Sequence, residues 1–140
     1  MIDNHVGSVM GLGTNTKRAT KFDKQLCEEI FGRGKGRVLY NVLCREQEKP
    51  AVKKERDLYI DFLATNEVFR KRGIATKMLA FACELPGYTT CYLDVLSKNV
   101  SAARLYQKLG FVIYKKSFNI FTFIQGFGRP LLMKKQLLEE

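Results

Sequence analysis

Residues 58–79 read LYIDFLATNEVFRKRGIATKML. The first eight residues alternate, with Leu58, Ile60, Phe62 and Ala64 on one face of an expected strand. From Gly73 onward, Ile74, Met78, Phe81, Ala82 and Leu85 recur at the spacing of one helical face. Between the two, Arg70, Lys71, Arg72 and Lys77 surround Gly73 and Ala75. The first turn of a helix has unpaired N–H groups and a partial positive charge, so an anion sits there readily. Small residues let the backbone approach the anion, and the flanking cations add Coulombic attraction. A strand that passes into a helix through such a loop is a candidate phosphate cradle. Two better-known cradles are absent: neither GSVMGLGTNTK nor GRGKGR supplies the Gly-Lys-Ser/Thr of a Walker loop, and no G-x-G-x-x-G follows a strand.

Working outward, LPGY (85–88) stops the helix. TTCYLDVL (89–96) alternates again, with Cys91, Leu93 and Val95 on one face. Asn99 is placed as an N-cap for a helix through Ala102, Leu105, Tyr106 and Leu109, and Gly110 as its C-terminal cap. FVIYKK (111–116) and PLLMKKQL (130–137) read as closing strands. The aromatic-rich SFNIFTFIQGFGR (117–129) between them reads as a hairpin, an acceptor-pocket wall or a dimer contact. Toward the N-terminus, HVGSVMGLG (5–13) predicts a short strand broken at Gly11 and Gly13. Residues 21–48 predict two helical pieces separated by GRGKGR (32–37), and EKPAVKKERD (48–57) a polar connector. The order from residue 58 is β–α–β–α–β–β, which predicts an α/β or α+β sandwich on one mixed sheet.

At 140 residues with 46% hydrophobic content, the chain is expected to form a single domain over residues 1–140 with one core. No apolar run approaches the ~18 residues of a membrane span, and the start lacks a secretory leader, so a cytoplasmic protein without a membrane partner is expected. Cys27, Cys44, Cys83 and Cys91 are scattered and His5 is the only histidine. That argues against a metal site or a disulfide framework and for reduced thiols. The net charge of +10 favours polyanions, whether nucleic acid, anionic membrane or a phosphate-rich cofactor. GRGKGR has no interleaved aromatics, and it reads better as a turn than as an RNA-binding segment.

Taken together, the 58–79 stretch and LDVLSKNVSAARLYQKLGF (93–111) resemble the GNAT superfamily of acetyl-CoA-dependent N-acetyltransferases. The first matches its pyrophosphate motif Q/R-x-x-G-x-G/A through Arg70, Gly73 and Ala75. The second matches N-x-x-A-x-x-L-Y-x-x-x-G-F through Asn99, Ala102, Leu105, Tyr106, Gly110 and Phe111. The resemblance covers about residues 57–137. It implies a mixed, mostly antiparallel sheet flanked by helices and splayed between two central parallel strands. It further implies that Leu63, Ala64 and Thr65 offer backbone groups to the pantetheine arm. Backbone N–H groups from Arg72 through Gly73, Ile74 and Ala75 to Thr76 would hold the pyrophosphate, beside Arg70 and Lys71. Asn99 and Ala102 would border the cofactor, and Tyr106 would point at the thioester sulfur.

The implied reaction is direct attack of a primary amine on the acetyl group, with a backbone N–H near Leu63 or Ala64 for the oxyanion and Tyr106 as general acid. Asp61 is the candidate base, expected to share a face with Leu63 and Thr65, and Glu67 is a weaker one. A salt-bridged strand residue is the duller reading of Asp61. In the family a first strand and two helices precede the counterpart of HVGSVMG. The expectation is therefore a shortened or truncated member, or one whose helices at 21–48 take over the acceptor wall, with an exposed sheet edge that a homodimer could cover. Two other function classes stay open: a non-catalytic acyl-CoA-binding or regulatory domain, and a basic nucleic-acid-binding protein, which is disfavoured.

Overall fold

Alternation, helical spacing and turn chemistry become one five-stranded sheet with helices in the computed structural model of the chain, which describes residues 4–19 and 21–138. The elements are β1 (Ser8–Gly13), α1 (Lys24–Phe31), α2 (Arg33–Glu48), β2 (Asp57–Thr65), α3 (Ile74–Cys83), β3 (Thr90–Leu96), α4 (Val100–Lys108), β4 (Val112–Lys116), α5 (Ile120–Ile124) and β5 (Pro130–Gln136). The sheet order is β1-β2-β3-β5-β4. Only the central pair β2 and β3 is parallel, and the other three pairings are antiparallel. No described helix is long and apolar enough to cross a membrane.

One face of the sheet makes the core. Leu58 and Ile60 of β2, Cys91, Leu93 and Val95 of β3, and Leu131 and Met133 of β5 are buried with Leu79 and Ala82 of α3 and with Phe111. Ala102 and Leu105 of α4 and the C-cap residue Leu109 pack on the same cluster. Each fully buried leucine contributes about 2 kcal/mol by the area it withdraws from water. Phe81, expected on the buried face of α3, is instead 62% exposed. The helix lies about one residue around from its expected orientation, presenting Leu79 and Ala82.

Two β-bulges set the opposite face. In the β1–β2 ladder Gly11 pairs with Phe62 and Leu12 with Ile60, so Asp61 is the extra residue. Leu58, Ile60 and Leu63 therefore meet the core cluster, while Asp61 does not alternate with Leu63 and Phe62 is 41% exposed. In the β4–β5 ladder Ile113 pairs with Met133 and Lys115 with Leu132, which makes Tyr114 the extra residue.

Three further expectations are corrected. The first strand ends at Gly13 as expected but does not break at Gly11: it continues there through a register shift, and a Cβ at Gly11 would stand 2.3 Å from the Phe62 ring across the ladder. GRGKGR is not a connector: Gly32 alone, at φ +84°, separates the helices, and α2 begins at Arg33. Gly36 is buried where a Cβ would lie 2.3 Å from the Cys27 carbonyl, so glycine lets α2 cross α1 at backbone contact. The aromatic segment is not a hairpin either. It holds the short helix α5, whose first turn is capped by Asn119, and Phe118, Ile120, Phe123 and Phe127 remain exposed.

Candidate functional site

The charged loop after β2 is held from below. Phe69, buried at the end of a single 3-10 turn (Glu67–Phe69), anchors it, and Asn66 caps that turn by accepting from the Val68 N–H at 3.1 Å. Arg70 donates from Nε to the Thr65 carbonyl at 3.3 Å, and the Arg72 guanidinium lies 5.2 Å over the Phe69 ring. Lys71 and Gly73 adopt the left-handed conformation, φ +62° and +73°. The glycine requirement at 73 is conformational, because a Cβ there would meet nothing within 4 Å. Gly73 is the N-cap of α3 and offers no side-chain cap to the first-turn N–H groups. Arg70, Lys71 and Arg72 are all exposed around that turn.

A cleft of about 780 Å³ runs from this loop to α4. It is lined by Leu63, Ala64 and Thr65 of β2, Phe69, Arg70, Lys71, Ile74 and Ala75 of the loop and α3, and Asn99, Ser101, Ala102, Leu105 and Tyr106. The structure thus brings ten of the expected residues to one cavity, while Arg72, Gly73 and Thr76 flank it without lining it. Phe69 and Ser101 were not foreseen. Phe69 carried a readable signal, a lone aromatic ahead of a polar loop, whereas Ser101 carried none.

The cleft exists because the parallel strands part. β2 and β3 pair only from Asp57 with Thr90 to Ile60 with Leu93. Beyond those residues β2 continues to Thr65 on the ladder with β1, and β3 to Leu96 on the ladder with β5. The β3-facing edge of residues 61–65 therefore opens into the cleft, where an added extended segment could pair with it.

Tyr106 is fixed by the turn that ends α4. Gly110, at φ +92°, sends its N–H to the Gln107 carbonyl and the Phe111 N–H to that of Tyr106, each at 3.0 Å. This is the double hydrogen bond of a Schellman motif. It draws the buried Phe111 ring edge-on against Tyr106, with centroids 6.3 Å apart. Burial raises the pKa of the Tyr106 phenol, which keeps it a proton donor. Asn99 is the N-cap, accepting from the Ala102 N–H at 3.4 Å.

Asp61 is placed elsewhere. The bulge turns its carboxylate toward Arg18, whose Nε donates to both oxygens at 3.0 and 3.2 Å and whose second guanidinium nitrogen lies 2.5 Å away. The Ala19 N–H adds a bond at 3.0 Å. The Asp61 side chain is 3% exposed, so the carboxylate is committed to this ion pair and the duller reading describes it. Glu67 is exposed and stands 3.5 Å from Arg70. Among the described residues no group of three or more His, Cys, Asp and Glu side chains could hold a metal ion.

Comparison with known proteins gives the same outline. The family model described as "Acetyltransferase (GNAT) family" matches residues 22–111. A crystal structure of an acetyltransferase is 18% identical with a TM-score of 0.59, over 99% of this chain and 68% of that one. The ribosomal-protein-S18-alanine N-acetyltransferase of Escherichia coli is 20% identical with a TM-score of 0.56, over 61% of this chain and 57% of that one. The NatC complex bound to Gag peptide and CoA is 25% identical with a TM-score of 0.51, over 59% and 52%. These likenesses extend over little more than half the length of the latter two proteins. No curated protein matches.

Proposed function

Because this chain belongs to the GNAT family of acetyltransferases, we propose that residues 1–140 act as one domain that moves an acetyl group from acetyl-CoA to a primary amine. The observation that carries this reading is the single cleft that links an uncapped, cation-ringed helix N-terminus to Tyr106 across the parting of β2 and β3. Acetyl-CoA is a phosphate-rich thioester, and each of its parts finds a matching surface in that cleft. The left-handed loop and the first turn of α3 receive the pyrophosphate on backbone N–H groups, with Arg70, Lys71 and Arg72 completing the charge. The edge of Leu63, Ala64 and Thr65 that has no partner strand on the β3 side receives the amide-bearing arm as an added strand would. That CoA is present in the 25%-identical NatC structure supports the assignment.

When bound, the cofactor supplies an activated acetyl carbon. The chain's own residues then do the rest. A backbone N–H at Leu63 or Ala64 steadies charge on the carbonyl oxygen. Tyr106, kept protonated by burial, gives its proton to the departing sulfur.

The test is a calorimetric titration with acetyl-CoA. One saturable site is expected in the wild type. Gly73→Glu should lose at least tenfold in affinity, because a carboxylate then stands where the pyrophosphate belongs. Equal affinity in the two proteins would overturn the phosphate-loop assignment.

A further inference from the structure

The segment between β4 and β5 exposes five large apolar side chains in one short stretch. Phe118 is 58% exposed, Ile120 54%, Phe123 62%, Ile124 74% and Phe127 51%. Ile120, Phe123 and Ile124 fall at the spacing of one stripe on α5, and the Phe118 ring lies 5.7 Å from that of Phe123. A cluster of this kind facing water marks a contact surface.

The backbone beneath it makes its own hydrogen bonds. The Asn119 side chain accepts from the Thr122 N–H at 3.3 Å, and the Thr122 hydroxyl meets the Asn119 and Gly128 carbonyls at 3.0 and 2.9 Å. The Phe127 N–H donates to the Thr122 carbonyl at 2.9 Å. At the two ends, the Ser117 N–H donates to the Pro130 carbonyl at 2.9 Å and the Arg129 N–H to the Ser97 hydroxyl at 3.0 Å. The turn is closed on itself and pinned at its base, so it can press against hydrocarbon while giving up few water-bonded backbone groups.

Charge decides what covers it. From Val95 to Leu138 the sequence holds eight Lys or Arg and no Asp or Glu. Lys98, Lys116 and Arg129 flank the segment. Lys116 precedes Ser117, Arg129 follows Gly128, and the Lys98 N–H donates to the Phe127 carbonyl at 3.3 Å. All three residues are exposed, and none forms an ion pair among the described residues.

A second copy of the chain on a two-fold axis would set these cations against themselves. A nucleic acid would match the charge, but Ile120 and Ile124 offer it neither a ring to stack on nor a donor to read. An anionic bilayer answers both features, with headgroups for the cations and acyl chains for the Phe and Ile side chains. We propose that this segment docks the protein on the surface of a membrane rich in anionic phospholipid. Phe123 and Ile124 enter the acyl boundary, and Lys98, Lys116 and Arg129 meet the headgroups. Such a contact is peripheral and needs no spanning helix, of which the described residues hold none. It stands apart from the acetyl-transfer reading, because none of the five apolar residues lines the cofactor cleft.

The test is co-sedimentation with vesicles of phosphatidylcholine, either alone or mixed two to one with phosphatidylserine. The wild type should bind the mixed vesicles at least about tenfold more tightly than the neutral ones at about 0.1 M salt, and less tightly at about 0.5 M. Phe123→Ser with Ile124→Ser removes two apolar anchors and should weaken binding at least about tenfold. Acetyl-CoA affinity and the urea midpoint of that double variant should change little, since both side chains are exposed. Lys98→Gln with Lys116→Gln and Arg129→Gln should weaken binding about 100-fold, at roughly fivefold per cation. The chain has no tryptophan, so Phe123→Trp supplies a single reporter. Its emission should move to the blue on mixed vesicles and be quenched by brominated acyl chains. No binding to mixed vesicles, equal binding by the Phe123 and Ile124 double variant, or an unshifted tryptophan would each overturn the proposal. So would a wild-type dimer, or a bound uridine oligonucleotide, that the double variant loses, because the face would then belong to a second copy or to nucleic acid.

Discussion

Replacing Arg18 with methionine should cost more stability than a surface ion pair can explain. Exposed pairs are worth about 0.2–1 kcal/mol. Here the Asp61 side chain is 3% exposed and that of Arg18 25%, so the pair is buried on one side only. Breaking a fully buried pair costs about 3–5 kcal/mol, mostly from the charge left behind. Because water reaches Arg18, about 2–3 kcal/mol is expected for Arg18→Met. Asp61→Asn retains an oxygen for the Ala19 N–H and should cost about 1.5–2 kcal/mol, the worth of the charged hydrogen bonds. The Arg18 contact with the Tyr59 ring is lost whether or not Asp61 is present, so a double-mutant cycle cancels it. The coupling energy that remains should be roughly 1–2 kcal/mol. Urea unfolding of the wild type, the two single variants and the double variant measures it, provided the slopes agree. A coupling below about 0.5 kcal/mol would refute the argument that the bulge buries Asp61 with its partner.

Two shorter predictions concern other groups. Tyr106→Phe keeps the ring against Phe111 and should lower kcat about 100-fold while acetyl-CoA affinity changes less than twofold; undiminished turnover would reduce Tyr106 to packing. The Cys83 thiol is drawn down to about 7 by its hydrogen bond with Cys91 and by Lys135, against the effect of burial, and Cys91 is pushed up in return. Iodoacetamide should therefore modify Cys83 with a half-maximal rate near pH 7, and Cys91→Ala should raise that midpoint. A rate that climbs only above pH 8 would contradict the pairing.

How much of this was legible depended on how local each cause was. The loop end of the candidate cleft was legible because its determinants are short-range: a left-handed glycine and a helix start without a side-chain cap act within a few residues, whereas the β2 edge and Tyr106 were placed there by the family resemblance. The β2–β3 pairing followed from two alternating runs separated by a helix. Asp61 was misplaced because alternation was extended unbroken through residue 61, and a bulge is defined by the partner strand, not by the strand itself. The same reason hides Tyr114. Phe81 shows a smaller version of the problem: helical spacing gives the period of α3 but not which stripe meets the sheet. Gly36 reads as part of a turn because turns and close helix crossings both ask for a missing Cβ, and only the position of Cys27 distinguishes them.

The four residue pairs from Asp57–Thr90 to Ile60–Leu93 have a mechanical meaning as well. They are the seam between a two-stranded half, β1 with β2, and a three-stranded half, β3 with β5 and β4. Past the seam no backbone ladder joins the halves. The sheet is thus two complete ladders joined along four residue pairs, and past Ile60 and Leu93 neither ladder depends on the other for its backbone hydrogen bonds.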